Sequence, residues 1–198
     1  MPTGIALTDA RERLFEAAER VLVDRGPGGL TSRAVTAEAG VAKGVLHRHF
    51  ADFDDFLAAF VLDRTGRLDE VSAGLLQTAG TKTVVANLTN ALLILFGPVT
   101  VGIVALVISR DGLRHRLADA GASRLPLIQE ATAMIAGYLG AERDRGRIRS
   151  DADVGTLAPT LIGAVHLLFT DREASPPRRG ALTKVVATVM AGALSESE

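Results

Sequence analysis

The sequence contains no cysteine, no tryptophan and a single tyrosine. Without thiols there are no disulfides, no thiol nucleophile and no cysteine-ligated zinc. With seven phenylalanines beside that tyrosine, the core must be mainly aliphatic, and 47% of the 198 residues are hydrophobic. Net positive charge is missing as well. The formal charge is −1, so composition alone points to no polyanionic partner. No alternating strand pattern, glycine-rich phosphate loop, nucleophile motif or long-period repeat is present. No basic segment leads into an apolar run at the start, which predicts no secretory signal and a cytoplasmic protein.

One absence is local. Between Lys82 and Arg110 there is no charged residue. The run is long enough for a membrane span, which takes about 20 apolar residues. Gly97-Pro98 divides it, however, and Asn87 and Asn90 would sit in lipid. The expectation is two buried helices and no membrane partner.

What is present is helical periodicity. Leu14, Ala17, Ala18, Val21 and Leu22 form one apolar stripe, ended by Gly26-Pro27-Gly28-Gly29. Thr8 and Asp9 suit the start of that helix. A short helix follows, capped by Thr31 or Ser32. Gly40 breaks it, and a third helix is expected from about Ala42 to His49. Asp52 caps a fourth, with Phe56, Leu57, Phe60, Val61 and Leu68 inward. Two apolar helices, a short piece over 113–119 and three long amphipathic helices complete an all-α chain.

Short helix, glycine turn, short helix is a helix-turn-helix pattern. Gly40 permits the turn. Val41, Leu46 and Phe50 pin the second short helix, which leaves Lys43, His47 and Arg48 outward, toward a major groove. Gly44 adds no side chain and lets a phosphate approach the backbone. The basic residues are therefore local to one face, since nine acids face seven bases between Met1 and Phe56.

Gly26, Thr31, Ala39-Gly40-Val41, Gly44, Leu46 and His49-Phe50, with Leu57 beyond, resemble the DNA-binding domain of TetR/AcrR-type transcriptional regulators. The run Gly146 to Asp153 resembles that family's lead into its eighth helix. The resemblance implies about nine helices. A three-helix DNA-binding domain would occupy residues 1–51, and a helical ligand-binding and dimerisation domain residues 52–198. It implies a homodimer through Val154–Phe169 and Ala181–Leu194, binding a double-stranded, partly palindromic operator as a repressor. The candidate DNA contacts are Thr31, Ser32, Arg33, Lys43, Gly44, His47 and Arg48. Ala42, Val45, His47 and Phe53 depart from the family's usual Ser, Thr, Tyr and Lys, and Ala42, Val45 and Phe53 supply no side-chain donor to phosphate. A small-molecule-binding helical dimer with weakened or lost DNA binding therefore stands as the alternative.

The resemblance also makes a small-molecule pocket plausible, with Phe96, Ile103, Met134, Tyr138, His166 and Phe169 as candidate walls and a small apolar effector as ligand. His115, Tyr138 and His166 have no accompanying nucleophile, so no enzyme is expected. His47 and His49, two apart on a helix, point different ways. Asp52, Asp54 and Asp55 are explained by a helix start. No metal or cofactor is assigned.

Overall fold

The computed structural model describes residues 5–123, 125–169 and 177–195. Within them are eleven α-helices and no strands: α1 Ile5–Gly29, α2 Ser32–Glu38, α3 Gly44–His49, α4 Phe53–Gly66, α5 Leu68–Gln77, α6 Val84–Leu95, α7 Pro98–Ser109, α8 Asp111–Asp119, α9 Pro126–Asp144, α10 Val154–Phe169 and α11 Arg179–Met190. The all-α class agrees with the sequence, and the count exceeds the expected nine or so. One added break falls at Gly66–Arg67, where a stripe expected to run on to Leu68 divides into α4 and α5. The short α8 also stands as an element of its own. The side chains of Thr8 and Asp9 lie outside the described residues.

The chain packs as two compact units: Met1–Arg64 with Pro98–Pro126, and Thr65–Gly97 with Leu127–Glu198. This partition by packing differs from the 1–51 and 52–198 division by role, because α4 up to Arg64, α7 and α8 pack with the first three helices. The apolar run expected to form two helices does so, as α6 and α7. Asn87 is buried within α6. Among the described residues, no single helix is long and apolar enough to cross a membrane.

In the first unit, Leu14, Phe15, Ala17, Ala18, Val21 and Leu22 of α1 are buried, each large apolar side chain contributing about 1.5–3 kcal/mol by leaving water. Helix α1 packs closely on α7: a Cβ added at Gly102 would come within 2.9 Å of Leu22 Cγ. Gly26, at φ 68°, interrupts α1 just before Pro27, as the glycine-proline run predicted. Phe15 meets the rings of Phe50, Phe56 and Phe60 at 6.1, 5.7 and 5.9 Å. The Arg64 guanidinium lies over Phe15 and Phe60 and is ion-paired to Glu19, Asp63 and Glu12.

In the second unit, α6 packs on α5 and α11, and α10 on α11. The inward faces are Val84, Leu88, Leu92 and Leu95 of α6, Ala158, Leu161, Ile162 and Val165 of α10, and Leu182, Val186 and Met190 of α11. Pro159 lies within α10 on its exposed side rather than at its start. The segment after α11 is tied down where Arg149 N donates to Ala193 O (2.9 Å) and Ser195 N to Arg147 O (3.1 Å). A buried polar network holds the loop before α6. Tyr138 donates its hydroxyl hydrogen to Glu142. Asn87 Nδ2 donates to Tyr138 Oη (3.1 Å), Thr78 O (3.1 Å) and Thr81 O (2.8 Å). Gly80 N and Arg147 donate to the Glu142 carboxylate. Burial, with the Glu142 carboxylate beside it, pushes the Tyr138 phenol well above its ordinary pKa, so the hydroxyl stays a donor.

Candidate nucleic-acid interface and candidate ligand cavity

The turn between α2 and α3 depends on Gly40, at φ +64°, a conformation a Cβ disfavours. Gly40 N donates to Ala37 O (3.2 Å) and Val41 N to Thr36 O (3.0 Å), which satisfies the carbonyls at the end of α2. Helix α3 then begins at Gly44, later than the Ala42 expected, with Lys43 as its cap residue. Leu46 and Phe50 are buried. They hold α3 by its inner side, and Phe50 meets Phe56 edge-on at 5.1 Å.

The outer side carries the candidate DNA contacts. Lys43, Gly44, His47 and Arg48 are all exposed. A Cβ at Gly44 would meet nothing within 4 Å, so internal packing does not demand glycine there. At the start of α2, Thr31 is the cap: its hydroxyl accepts from Ala34 N at 3.2 Å. Arg33 is exposed. Ser32 Oγ is shielded from solvent and has no hydrogen-bond partner, so it is not presented outward. Of the departures from the family pattern, Ala42 is exposed, and Phe53 lies beneath the Arg110 guanidinium at 5.6 Å.

Two arginines, one just before α8 and one on it, tie to this part of the fold. Arg110 donates to Asp54 Oδ1 and to Leu30 O, both at 3.3 Å, and Arg116 pairs with Asp52. Asp52 also caps α4 as expected, accepting from Asp55 N at 2.8 Å. The three aspartates expected at a helix start thus serve capping and ion pairing. Arg110 and Arg116 were not singled out by sequence. Their partners lie 56 and 64 residues away, and no local pattern links such positions.

The six candidate ligand residues separate into smaller sets. Phe96 meets His166 and Phe169 at ring distances of 6.2 and 5.4 Å. Met134 and Tyr138 line a different place, a cavity of about 270 Å³ whose other walls are Leu68, Asp69, Ser72, Leu76, Glu130, Ala133 and Gly137. Ile103 is buried in the core of the first unit. Leu68, Asp69 and Glu130 were not among the expected walls, because α5 was not separated from the helix before it and no local pattern links α5 to Glu130 on α9. Burial holds the Glu130 carboxyl above the usual carboxylate range, partly offset by its own backbone N–H and reinforced by Asp69.

Among the described residues the fold is all-helical, with an N-terminal helix-turn-helix and a basic outer side on α3, and comparison with known proteins narrows the class. Residues 14–60 match the family described as bacterial regulatory proteins, tetR family. The HTH-type transcriptional regulator PksA of Bacillus subtilis (strain 168) is 36% identical over 58 residues, which is 29% of this chain and 28% of that protein. The match therefore spans little more than a quarter of that relative's length. Over nearly the whole chain, the fold resembles the reduced form of NemR from E. coli, with TM-score 0.75, 17% identity and coverage of 96% of this chain and 100% of that one. It also resembles a gamma-butyrolactone receptor (ArpA like protein), with TM-score 0.64, 26% identity and coverage of 97% and 92%. Residues 14–60 thus resemble the tetR family of bacterial regulatory proteins, and the chain shares the fold of solved TetR-type regulators over nearly its whole length.

Proposed function

We propose that the protein is a ligand-responsive transcriptional repressor that binds a partly palindromic operator as a homodimer in the cytoplasm and is released by a small effector. Residues 1–51 read DNA, and residues 52–198 bind ligand and a second copy. The observation that carries this reading is α3: Lys43, His47 and Arg48 exposed around an uncrowded Gly44, on a helix anchored by Leu46 and Phe50. Two such helices in a C2 dimer would meet successive major grooves about 34–36 Å apart. Thr31, Arg33 and the backbone at Gly44 supply phosphate contacts, while the shielded Ser32 contributes less. A ligand that binds the DNA-incompetent state more tightly shifts the population and frees the operator. The reading assigns no catalytic role to any residue.

Dimerisation through α10 and α11 is supported by an exposed stripe on α10 at four-residue spacing, Gly155, Pro159, Gly163 and Leu167, with Leu167 76% exposed. Such a surface suits close helix packing and leaves an apolar side chain that a partner would cover. Leu167→Glu is expected to give monomers in sedimentation. A dimer that persists would place the interface elsewhere.

An effector with an apolar body is supported by the aliphatic lining of the α5–α9 cavity and the aromatic group at Phe96. One similar structure is a gamma-butyrolactone receptor by description, which favours a ligand-responsive role. The test is selection from a random DNA pool followed by retention measurements. A specific, partly symmetric sequence bound by the wild type and lost in Lys43→Ala/Arg48→Ala is the expected result. No specific retention would favour the second reading, a ligand-binding dimer with a weakened head, which the donor-free Ala42 and the shielded Ser32 hydroxyl support.

A further inference from the structure

We infer that the cavity between α5 and α9 binds a small lipophilic monocation, an aromatic or alkyl ammonium, with Glu130 as its counter-charge. This rests on the ligand-responsive reading and names the chemical class of its ligand.

The cavity wall carries an unbalanced charge. Glu130 lines the cavity, and its Oε2 is shielded from solvent with no hydrogen-bond partner. A carboxylate oxygen removed from water without a hydrogen-bond partner is unfavourable. The fold pairs its most buried acid fully: Glu142 receives Tyr138, Gly80 and Arg147. Glu130 receives none of these. The other charged residue in the wall is Asp69, of the same sign, and no Lys, Arg or His is among the lining residues. The cavity therefore favours cations and repels anions.

The remaining walls set the rest of the ligand. Leu68, Leu76, Ala133 and Met134 offer no hydrogen bonds, so the ligand must bring an apolar body. The Tyr138 hydroxyl is committed to Glu142 and Asn87, so it offers the ligand no free donor. A bare metal ion fits poorly, since the lining supplies few oxygen donors and the described residues hold no group of three or more acids and histidines arranged to bind one. At about 270 Å³ the space lies near the lower end of ligand pockets, roughly 300–1,000 Å³, so the ligand is small and singly charged. The raised proton affinity of Glu130 has burial as its main cause and agrees with a carboxylate awaiting a positive partner.

The test is calorimetric titration of the full chain with two probes of equal shape, benzyltrimethylammonium and its neutral isostere neopentylbenzene. The wild type is expected to bind the cation about tenfold more tightly than the isostere, as a partly desolvated charge pair allows. Glu130→Gln, which keeps size and shape, is expected to abolish that preference while still binding the isostere, with circular dichroism confirming the fold. Equal or tighter binding of the isostere by the wild type would overturn the assignment, as would a preference retained in Glu130→Gln. Operator retention measured on the same samples separates the two levels. A Glu130-dependent cation preference without specific DNA retention supports the site and removes the repressor reading. DNA retention without cation preference removes the site alone.

Discussion

In the first unit the deeply buried charge is a cation, Arg64, 6% exposed among three carboxylates that themselves reach solvent. In the second it is an anion, Glu142, 0% exposed and held by a phenol, a backbone amide and a guanidinium. Glu130 stands between these patterns, half-buried, with its Oε2 shielded and without a hydrogen-bond partner. The contrast separates structural from receptive charge. A buried ion with all its partners inside the fold fixes the geometry of neighbouring helices. A shielded ion without a partner raises the energy of the empty state and has something to gain from a ligand. The outer side of α3 shows a third arrangement, in which Lys43 and Arg48 stay in water and act only when an external anion arrives.

The largest effect is expected at Glu142. Its replacement by Ala leaves the Tyr138 hydroxyl and Gly80 N–H without their acceptor and takes one partner from Arg147, and should cost about 3–5 kcal/mol in urea denaturation. A loss no larger than that of an ordinary surface change would break the contrast. Arg64→Ala should cost less, about 2 kcal/mol, because its carboxylate partners can rehydrate while two ring contacts are lost. The same measurement checks it, and a cost matching Glu142→Ala would show that exposure of the partners is unimportant. Arg48→Ala should leave stability within about 0.5 kcal/mol and weaken operator binding by about 1–3 kcal/mol if it reads a base. Retention at several salt concentrations decides between a base contact and a phosphate contact.

Glu130→Gln should have a small effect on stability, a gain below about 1 kcal/mol, since the side chain is partly screened by solvent. Its sign follows from the raised pKa. The folded chain holds this proton more tightly than the unfolded chain, so the burial penalty is absent below the ordinary value of 4.5, grows as pH rises toward the folded value and is complete above it. The gain from Gln should therefore appear in thermal unfolding at neutral pH and vanish in acid. An equal gain at both would mean that the carboxylate's charge is not its source.

Much of the fold was legible because helices write their packing into local spacing. The stripe from Leu14 to Leu22, the break at Gly26-Pro27, the Asp52 cap and the division at Gly97-Pro98 all follow from residues within a few turns of one another. The break at Gly66–Arg67 was missed, since the apolar period runs through it. The outward set on α3 was readable for the same local reason, although the shielding of Ser32 was not.

By itself, the sequence determined an all-helical chain with a glycine-centred helix pair near its start and a basic outer side on the second member. Those features need only 3.6-residue periodicity, a positive φ at Gly40 and two apolar anchors, Leu46 and Phe50. Tertiary structure alone decided which distant residues share a site: Arg110 with Asp54 and Leu30, Asn87 with Tyr138, and Glu130 with Asp69, Leu68 and Met134 around one cavity. Such groupings join positions up to 80 residues apart, beyond the reach of any local period. Whether a buried charge is paired depends on what the other helices bring to it, and that is settled only when they pack.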